Sequence, residues 1–168
     1  SIVLLKNEGQ LLPLKKEGQK ILLLGDLASS KNSPLGSWRI ASDNNTAVSV
    51  LECMQKYKGN HLRYEKGIAL TQEEPTFLTE LQNNTTNREG LEAAKQAAKD
   101  ADVIVMVLGE HGFSSGEARS RTQIDLPGLQ QEFLEEIYKI NPNIVLVLNN
   151  GRPLAFSWAA EHVPAIVE

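Results

Sequence analysis

Residues 103–108 read VIVMVL, an unbroken apolar run that is short, rich in β-branched side chains and closed by Gly109. A run of this length and composition is typical of a strand buried on both faces, as in a parallel sheet. Two other stretches have the same character, KILLLG at 20–25 and IVLVL at 144–148. The three runs predict the centre of one parallel sheet.

Helical patterns separate these runs. Apolar residues recur near helical spacing through 47–57 and again through 129–140, behind Pro127, which suits the first turn of a helix. Between them, Thr86 and Glu89 have the spacing of a capping box. Alanines that can pack closely on a sheet follow at positions 93, 94, 97, 98 and 101.

Buried strands that alternate with amphipathic helices predict an α/β fold. We expect a three-layer sandwich, Rossmann-like, with a mostly parallel, doubly wound sheet and helices on both faces. A weaker strand at 61–65 and a polar loop at 71–87 complete the pattern. At 168 residues the chain has the size of one domain, so we assign residues 1–168 to a single α/β domain.

Charge and composition argue against several classes of partner. The 17 Lys and Arg residues against 21 Asp and Glu give a net charge of −4, and no basic cluster stands out. Nucleic acids and anionic membranes require a positive face, so neither is expected as a partner. No apolar run approaches the roughly 20 residues that span a bilayer, so no membrane insertion is expected.

Nothing in the sequence predicts a metal or a cofactor. Cys53 is the only cysteine, which leaves no cysteine cluster for a metal. His61 and His111 are isolated, without a second ligand at helical spacing. Neither a GxGxxG pattern nor a P-loop occurs, so the α/β fold implies no nucleotide here.

The loop at 109–128 is the first place to look for function, because ligands of parallel α/β sheets bind outside the carboxyl ends of the strands. Part of it, GFSSG at 112–116, matches the G-x-S-x-G pattern of serine hydrolases around Ser114. That nucleophile needs a sharp turn directly between strand and helix, whereas Ser114 lies in mid-loop. The only later histidine is His162, within a segment typical of packing. We therefore reject a serine nucleophile.

Two carboxylates of this loop are better candidates. Glu117 is followed by Arg119 and Arg121, and from these residues alone an ion-paired structural glutamate is the more frequent explanation. Glu110 lies at the strand exit, where backbone amides could equally hold it in a purely structural role. For each glutamate, local chemistry leaves both a structural and a catalytic role open.

The sequence as a whole resembles the C-terminal α/β sandwich domain of family 3 glycoside hydrolases, the group of β-glucosidases and β-xylosidases. The resemblance covers nearly the whole chain and depends on the order of several short motifs rather than on any one of them. These are SIVLLKNEGQLLPL at 1–14, GSW at 36–38, SGEARSR at 115–121, LPG at 126–128 and NGRPL at 150–154.

The resemblance implies a retaining exo-β-glycosidase, a β-glucosidase before a β-xylosidase, that releases terminal β-linked sugars from oligosaccharides or glycosides. In such enzymes an N-terminal (β/α)8 barrel carries an aspartate nucleophile, and a glutamate of the second domain acts as general acid/base. Glu117 matches that glutamate, with Glu110 as the next candidate. We expect the fragment alone to be inactive, since it supplies one of two carboxylates.

The resemblance also implies substrate contacts. Trp38 falls where family members place an aromatic residue at the leaving-group subsite, although a tryptophan buried between loop and sheet fits equally well. Arg121 and Arg152 could bind sugar hydroxyls, but bracing of the loop through Glu117 or Asp125 is the favoured interpretation. His111, beside Glu110, is a weaker candidate for substrate contact.

Several expectations concern the parent protein. Residues 1–19 would lead in from the barrel, and the chain starts without methionine and stops at residue 168, so further strands are expected beyond it. The parent would be periplasmic or secreted, by resemblance. Gln123 departs from the family, whose members often have an acidic residue there. The alternatives are a non-catalytic domain that only shapes the sugar site, or an unrelated flavodoxin-like ligand-binding domain.

Overall fold

A six-stranded sheet forms the middle layer of the computed structural model, which describes residues 2–39, 43–76 and 78–168. The strand order is β1-β6-β5-β4-β2-β3; β2 to β6 are parallel, and β1 pairs antiparallel with β6 at the edge. The strands are β1 (Leu4–Asn7), β2 (Glu17–Leu24), β3 (Gly59–Glu65), β4 (Val103–Gly109), β5 (Ile144–Asn149) and β6 (Ala165–Val167). The mostly parallel, doubly wound α/β sandwich is confirmed.

Within the described residues, four helices lie on the two faces of this sheet: α1 (Val50–Met54), α2 (Leu91–Ala98), α3 (Gln130–Tyr138) and α4 (Ser157–His162). Alternate residues of each strand point to opposite faces. On one face, Leu22, Ile104 and Leu146 pack against α2, α3 and α4. On the other, Leu23 and Val105 pack with α1 and with a 3-10 turn at Asp26–Ser29. The apolar strand runs are therefore explained by burial on both faces.

Helix α1 begins with a capping box formed by Ser49 and Glu52. Ser49 Oγ accepts from the amide of Glu52 at 3.2 Å, and the Glu52 carboxylate accepts from the amide of Ser49 at 2.9 Å. The helix is shorter than the 47–57 pattern and ends at Met54.

The predicted capping box at Thr86 is wrong, because α2 begins only after Gly90. Buried Asn84 organises this stretch instead: its Oδ1 accepts from the amides of Thr86 and Asn87 at 3.2 and 2.9 Å. The amide of Leu129 donates to the Asn84 carbonyl at 3.0 Å. Asparagine competes for backbone groups and favours a turn where spacing alone predicted a helix start.

Two other helix expectations need correction. Pro127 precedes α3 rather than occupying its first turn, because Leu129 is the N-cap residue. The Pro127 carbonyl accepts a hydrogen bond from Gln130 Nε2 at 3.0 Å. In α2, Ala94 and Ala98 are buried as expected, whereas Ala93 is exposed and takes no part in the packing.

The order of the strands places a crevice beside β2. The chain passes from β2 to β3 on one side, then crosses back to β4 on the other side of β2. Connections that diverge in this way leave room outside the carboxyl ends of the two central strands. The loops that leave β2 and β4 meet at this point.

Candidate active site

The loops after β2 and β4 pack against each other through glycines of the GFSSG sequence. A Cβ added to Gly112 would lie 3.0 Å from the Cα and carbonyl oxygen of Ser33, and one added to Gly116 would lie 2.4 Å from Ser37 Oγ. Ser114 is buried between them. The glycines thus serve loop packing, which agrees with the rejection of Ser114 as a nucleophile.

A cleft of about 600 Å³ opens between these loops. Trp38 lines it from the loop after β2, and Glu117 lines it from the loop after β4. Trp38 is 77% exposed, so it is not the tryptophan buried between loop and sheet that we considered as an alternative. The structure therefore brings an exposed aromatic ring and an exposed carboxylate to one cleft at the crossover of the sheet.

Unusual backbone geometry surrounds Glu117. Gly116 has a φ of +117° and Ala118 a φ of +59°. A left-handed conformation costs a residue other than glycine about 1–2 kcal/mol, and such costs concentrate at functional sites. Within the described part of the chain Glu117 takes part in no ion pair, so the ion-paired structural role does not apply to it.

Glu110 occupies a different environment. Its side chain is only 1% exposed and forms ion pairs with Arg121 and Arg152. Arg121 Nη1 lies 2.7 Å from Oε1, and Arg152 Nε lies 3.2 Å from Oε2. The structural alternative for Glu110 therefore takes another form than backbone amides, because guanidinium groups hold this carboxylate. Glu110 is not among the residues that line the Trp38–Glu117 cleft.

The two arginines brace the loop, which is the favoured interpretation from the sequence, but the contact with Asp125 is to its main chain and neither arginine pairs with Glu117. Besides Glu110, Arg121 binds the main-chain carbonyl of Asp125 at 2.9 Å. Arg152 binds the carbonyls of Ser114 and Arg119, the latter at 3.3 Å. Both guanidinium groups bind Glu110 and main-chain carbonyls, and neither arginine lines the cleft.

His111 does not line the cleft that holds Glu117. It lines a second, polar cleft of about 360 Å³, together with Asp26 and Lys66. Burial lowers the pKa of the His111 imidazole, which favours the neutral ring at pH 7. Nδ1 then accepts from the amide of Phe113 at 3.1 Å, so the ring caps the turn that starts the loop.

The cleft has a third wall that the sequence did not predict. Residues 78–80, within the polar 71–87 loop, line it beside Trp38 and Glu117. Leu78 is 91% exposed, and Glu80 adds a second carboxylate. Arg119 Nη1 donates to the Thr79 carbonyl at 2.9 Å and joins this wall to the loop. No periodic pattern marks 78–80, so only tertiary contacts reveal its place.

Among the described residues, no group of three or more His, Cys, Asp or Glu side chains could hold a metal ion. No helix in that part of the chain is long and apolar enough to cross a membrane.

Comparison with solved structures gives the same fold. A β-glucosidase from Listeria innocua, solved in complex with isofagomine, has a TM-score of 0.83 at 31% identity; the match covers 100% of this chain and 21% of that one. A β-glucosidase from Erythrobacter marinus has a TM-score of 0.81 at 32% identity over 99% of this chain and 24% of that one.

Curated relatives with similar sequences are also glycosidases by name. The chain is 37% identical over 177 residues to a periplasmic beta-glucosidase of Salmonella typhimurium, and 33% identical over 175 residues to a beta-xylosidase of Formosa agariphila. Both matches take in 100% of this chain, which spans 23% and 22% of the length of those relatives. A family model, the glycosyl hydrolase family 3 C-terminal domain, matches residues 2–168. The chain belongs to this family.

Proposed function

We propose that this chain is the C-terminal domain of a retaining exo-β-glycosidase and that Glu117 is its general acid/base. A β-glucosidase is the first choice and a β-xylosidase the second. One observation carries the proposal: Glu117 and Trp38 come from loops after neighbouring strands and line the same cleft. An exposed carboxylate beside an exposed aromatic ring suits a bound sugar and a proton transfer to its leaving group.

The reaction needs a second carboxylate about 5–5.5 Å from the first. We propose that an aspartate of an N-terminal barrel domain supplies it and that residues 1–19 lead in from that barrel. The aspartate attacks the anomeric carbon, while Glu117 gives its proton to the departing glycosidic oxygen. Glu117, now a carboxylate, takes a proton from water; the water oxygen attacks the anomeric carbon and releases the aspartate.

Trp38 would hold the leaving group. Sugars present apolar C–H faces, and a ring that is 77% exposed offers a flat surface for them. The exposure of Trp38, Leu78 and Glu117 also suits a cleft that another domain closes. The name of the Salmonella relative supports a periplasmic or secreted parent, and terminal β-linked sugars would be its substrates.

The test is Glu117→Ala in the full-length parent enzyme. We expect kcat/KM for a β-glycoside with a poor leaving group to fall by about 10²–10⁴, the usual contribution of general acid/base catalysis. A good leaving group departs without a proton. The rate of the glycosylation step should therefore fall less for a substrate that carries one. Azide should restore turnover, because it attacks the glycosyl-enzyme without a general base.

Glu80→Ala is the matched control, since Glu80 is another carboxylate of the same cleft. This substitution should change kcat/KM for either substrate by less than tenfold. If kcat/KM of the Glu117→Ala enzyme falls by less than tenfold for both substrates, the domain only shapes the sugar site, or another carboxylate is the acid/base.

A further inference from the structure

We propose that Glu110 is a positioning residue for Glu117, through two arginines that hold the main chain on both sides of it. The proposal rests on the function proposed for Glu117 and adds the group that fixes its place. Glu110 does not touch the cleft, so its effect would be indirect.

Both oxygens of the Glu110 carboxylate are engaged. Oε1 lies 2.7 Å from Arg121 Nη1, and Oε2 lies 3.2 Å from Arg152 Nε. The side chain is 1% exposed, and those of the arginines are 19% and 20% exposed. Two cations this close to one carboxylate would repel each other without it, so Glu110 keeps both guanidinium groups in place.

The Nη2 groups of both arginines reach the main chain of the loop, before and after Glu117. Arg152 Nη2 donates to the carbonyl of Ser114 and, at 3.3 Å, to that of Arg119. Arg121 Nη2 donates to the carbonyl of Asp125 at 2.9 Å. The loop is thus held at three main-chain points that bracket Glu117.

We call Glu110, Arg121 and Arg152 together the clamp. The clamp is anchored to the sheet. Glu110 directly follows β4, and its amide donates to the carbonyl of Asn149 at the end of β5 at 2.8 Å. Arg152 comes three residues after Asn149 on the exit from β5. A catalytic side chain on a loop is placed accurately only if rigid elements hold that loop. The left-handed Ala118 also requires such outside support.

The test is Glu110→Gln in the full-length enzyme, assayed on the same pair of glycosides. A misplacement near 1 Å can cost about 10²-fold in rate. We therefore expect kcat/KM for the poor leaving group to fall by about 10–100-fold and that for the good leaving group to fall much less. Glu110→Asp, which keeps the charge, should recover part of the loss.

Glu132→Gln is the matched control, because it also breaks an Arg–Glu pair, the exposed one with Arg88. It should leave both rates unchanged. An equal fall on both glycosides in Glu110→Gln would indicate only lost folded enzyme and would overturn the proposal. A larger loss on the poor leaving group in Glu110→Ala than in Glu117→Ala would also overturn it, because a residue that acts only through Glu117 cannot cost more than Glu117 itself.

Arg121→Lys gives a second test that keeps Glu110 and its partner charge but loses the second hydrogen bond to the loop. The same dependence on leaving group, at smaller size, is expected. Its absence would contradict the clamp even if Glu110→Gln does not fold. The proposed function fails on a separate result, namely if Glu117→Ala shows no dependence on leaving group.

Discussion

Gly109 begins the loop that carries Glu117 and illustrates how single residues decide this site. Its φ is +132°, and an added Cβ would lie 2.1 Å from the carbonyl oxygen of Asn149. The close approach lets the exits of β4 and β5 stay together, so that Glu110 can meet Arg152 across them. At the residue scale, the site depends on a backbone contact that a side chain would prevent.

Gly109→Ala should therefore destabilise the chain much more than its conformation alone requires. Gly18→Ala is the control, since Gly18 has a φ of +77° with nothing within 4 Å of an added Cβ. We expect about 1–2 kcal/mol for Gly18→Ala, from the left-handed conformation, and at least about 3 kcal/mol for Gly109→Ala. Urea unfolding measures both, and equal costs would contradict a steric role for Gly109.

At the scale of elements, helix α1 shows what local sequence can specify. Ser49 and Glu52 have capping-box spacing and bond each other's backbone amides. The hydrogen bond from the Ser49 amide lowers the pKa of the Glu52 carboxyl, and a smaller lowering comes from the hydrogen bond with Lys31. The contribution of that carboxylate is complete above its unfolded pKa of about 4.5 and is lost as pH falls through the lower folded value. The box is therefore fully formed at pH 7.

Ser49→Ala should cost about 1 kcal/mol of unfolding free energy at pH 7, the usual loss for an N-cap serine. Ser157→Ala serves for comparison, because Ser157 starts α4 without a side-chain cap bond. It should change stability by less than about 0.5 kcal/mol. Urea titration at pH 7 separates the two, and similar values would mean that the box does not stabilise α1.

At the scale of the whole molecule, we propose that the cleft is half of a site. Trp38 and Glu117 are both exposed, and the chain spans less than a quarter of its curated relatives. The N-terminal segment contributes β1, which pairs with β6 and so belongs to the sheet as well as to any lead-in from a barrel. In the proposed reaction the nucleophile that double displacement needs besides Glu117 comes from another domain.

We expect the isolated 168-residue chain to hydrolyse no aryl β-glucoside, because the nucleophile is proposed to lie on the barrel. The measurement is release of the aryl alcohol by purified chain, with the full-length parent as the positive control. A mock preparation from cells that lack the chain, purified in the same way, reports the background from contaminants. Turnover by the isolated chain above that background would contradict a nucleophile outside it.

The sequence by itself determined the α/β class, the three central strands and the family, because burial on both faces demands unbroken apolar runs and the motifs occur in order. Its pattern also singled out the 109–128 loop. Only the tertiary structure decided which carboxylate pairs with the arginines: Glu110 and Arg152 are 42 residues apart and meet because β4 and β5 are neighbours. Residues 78–80 likewise reach the cleft through packing. Local patterns report burial and backbone preference, whereas the partners of a charge depend on strands brought together by the fold.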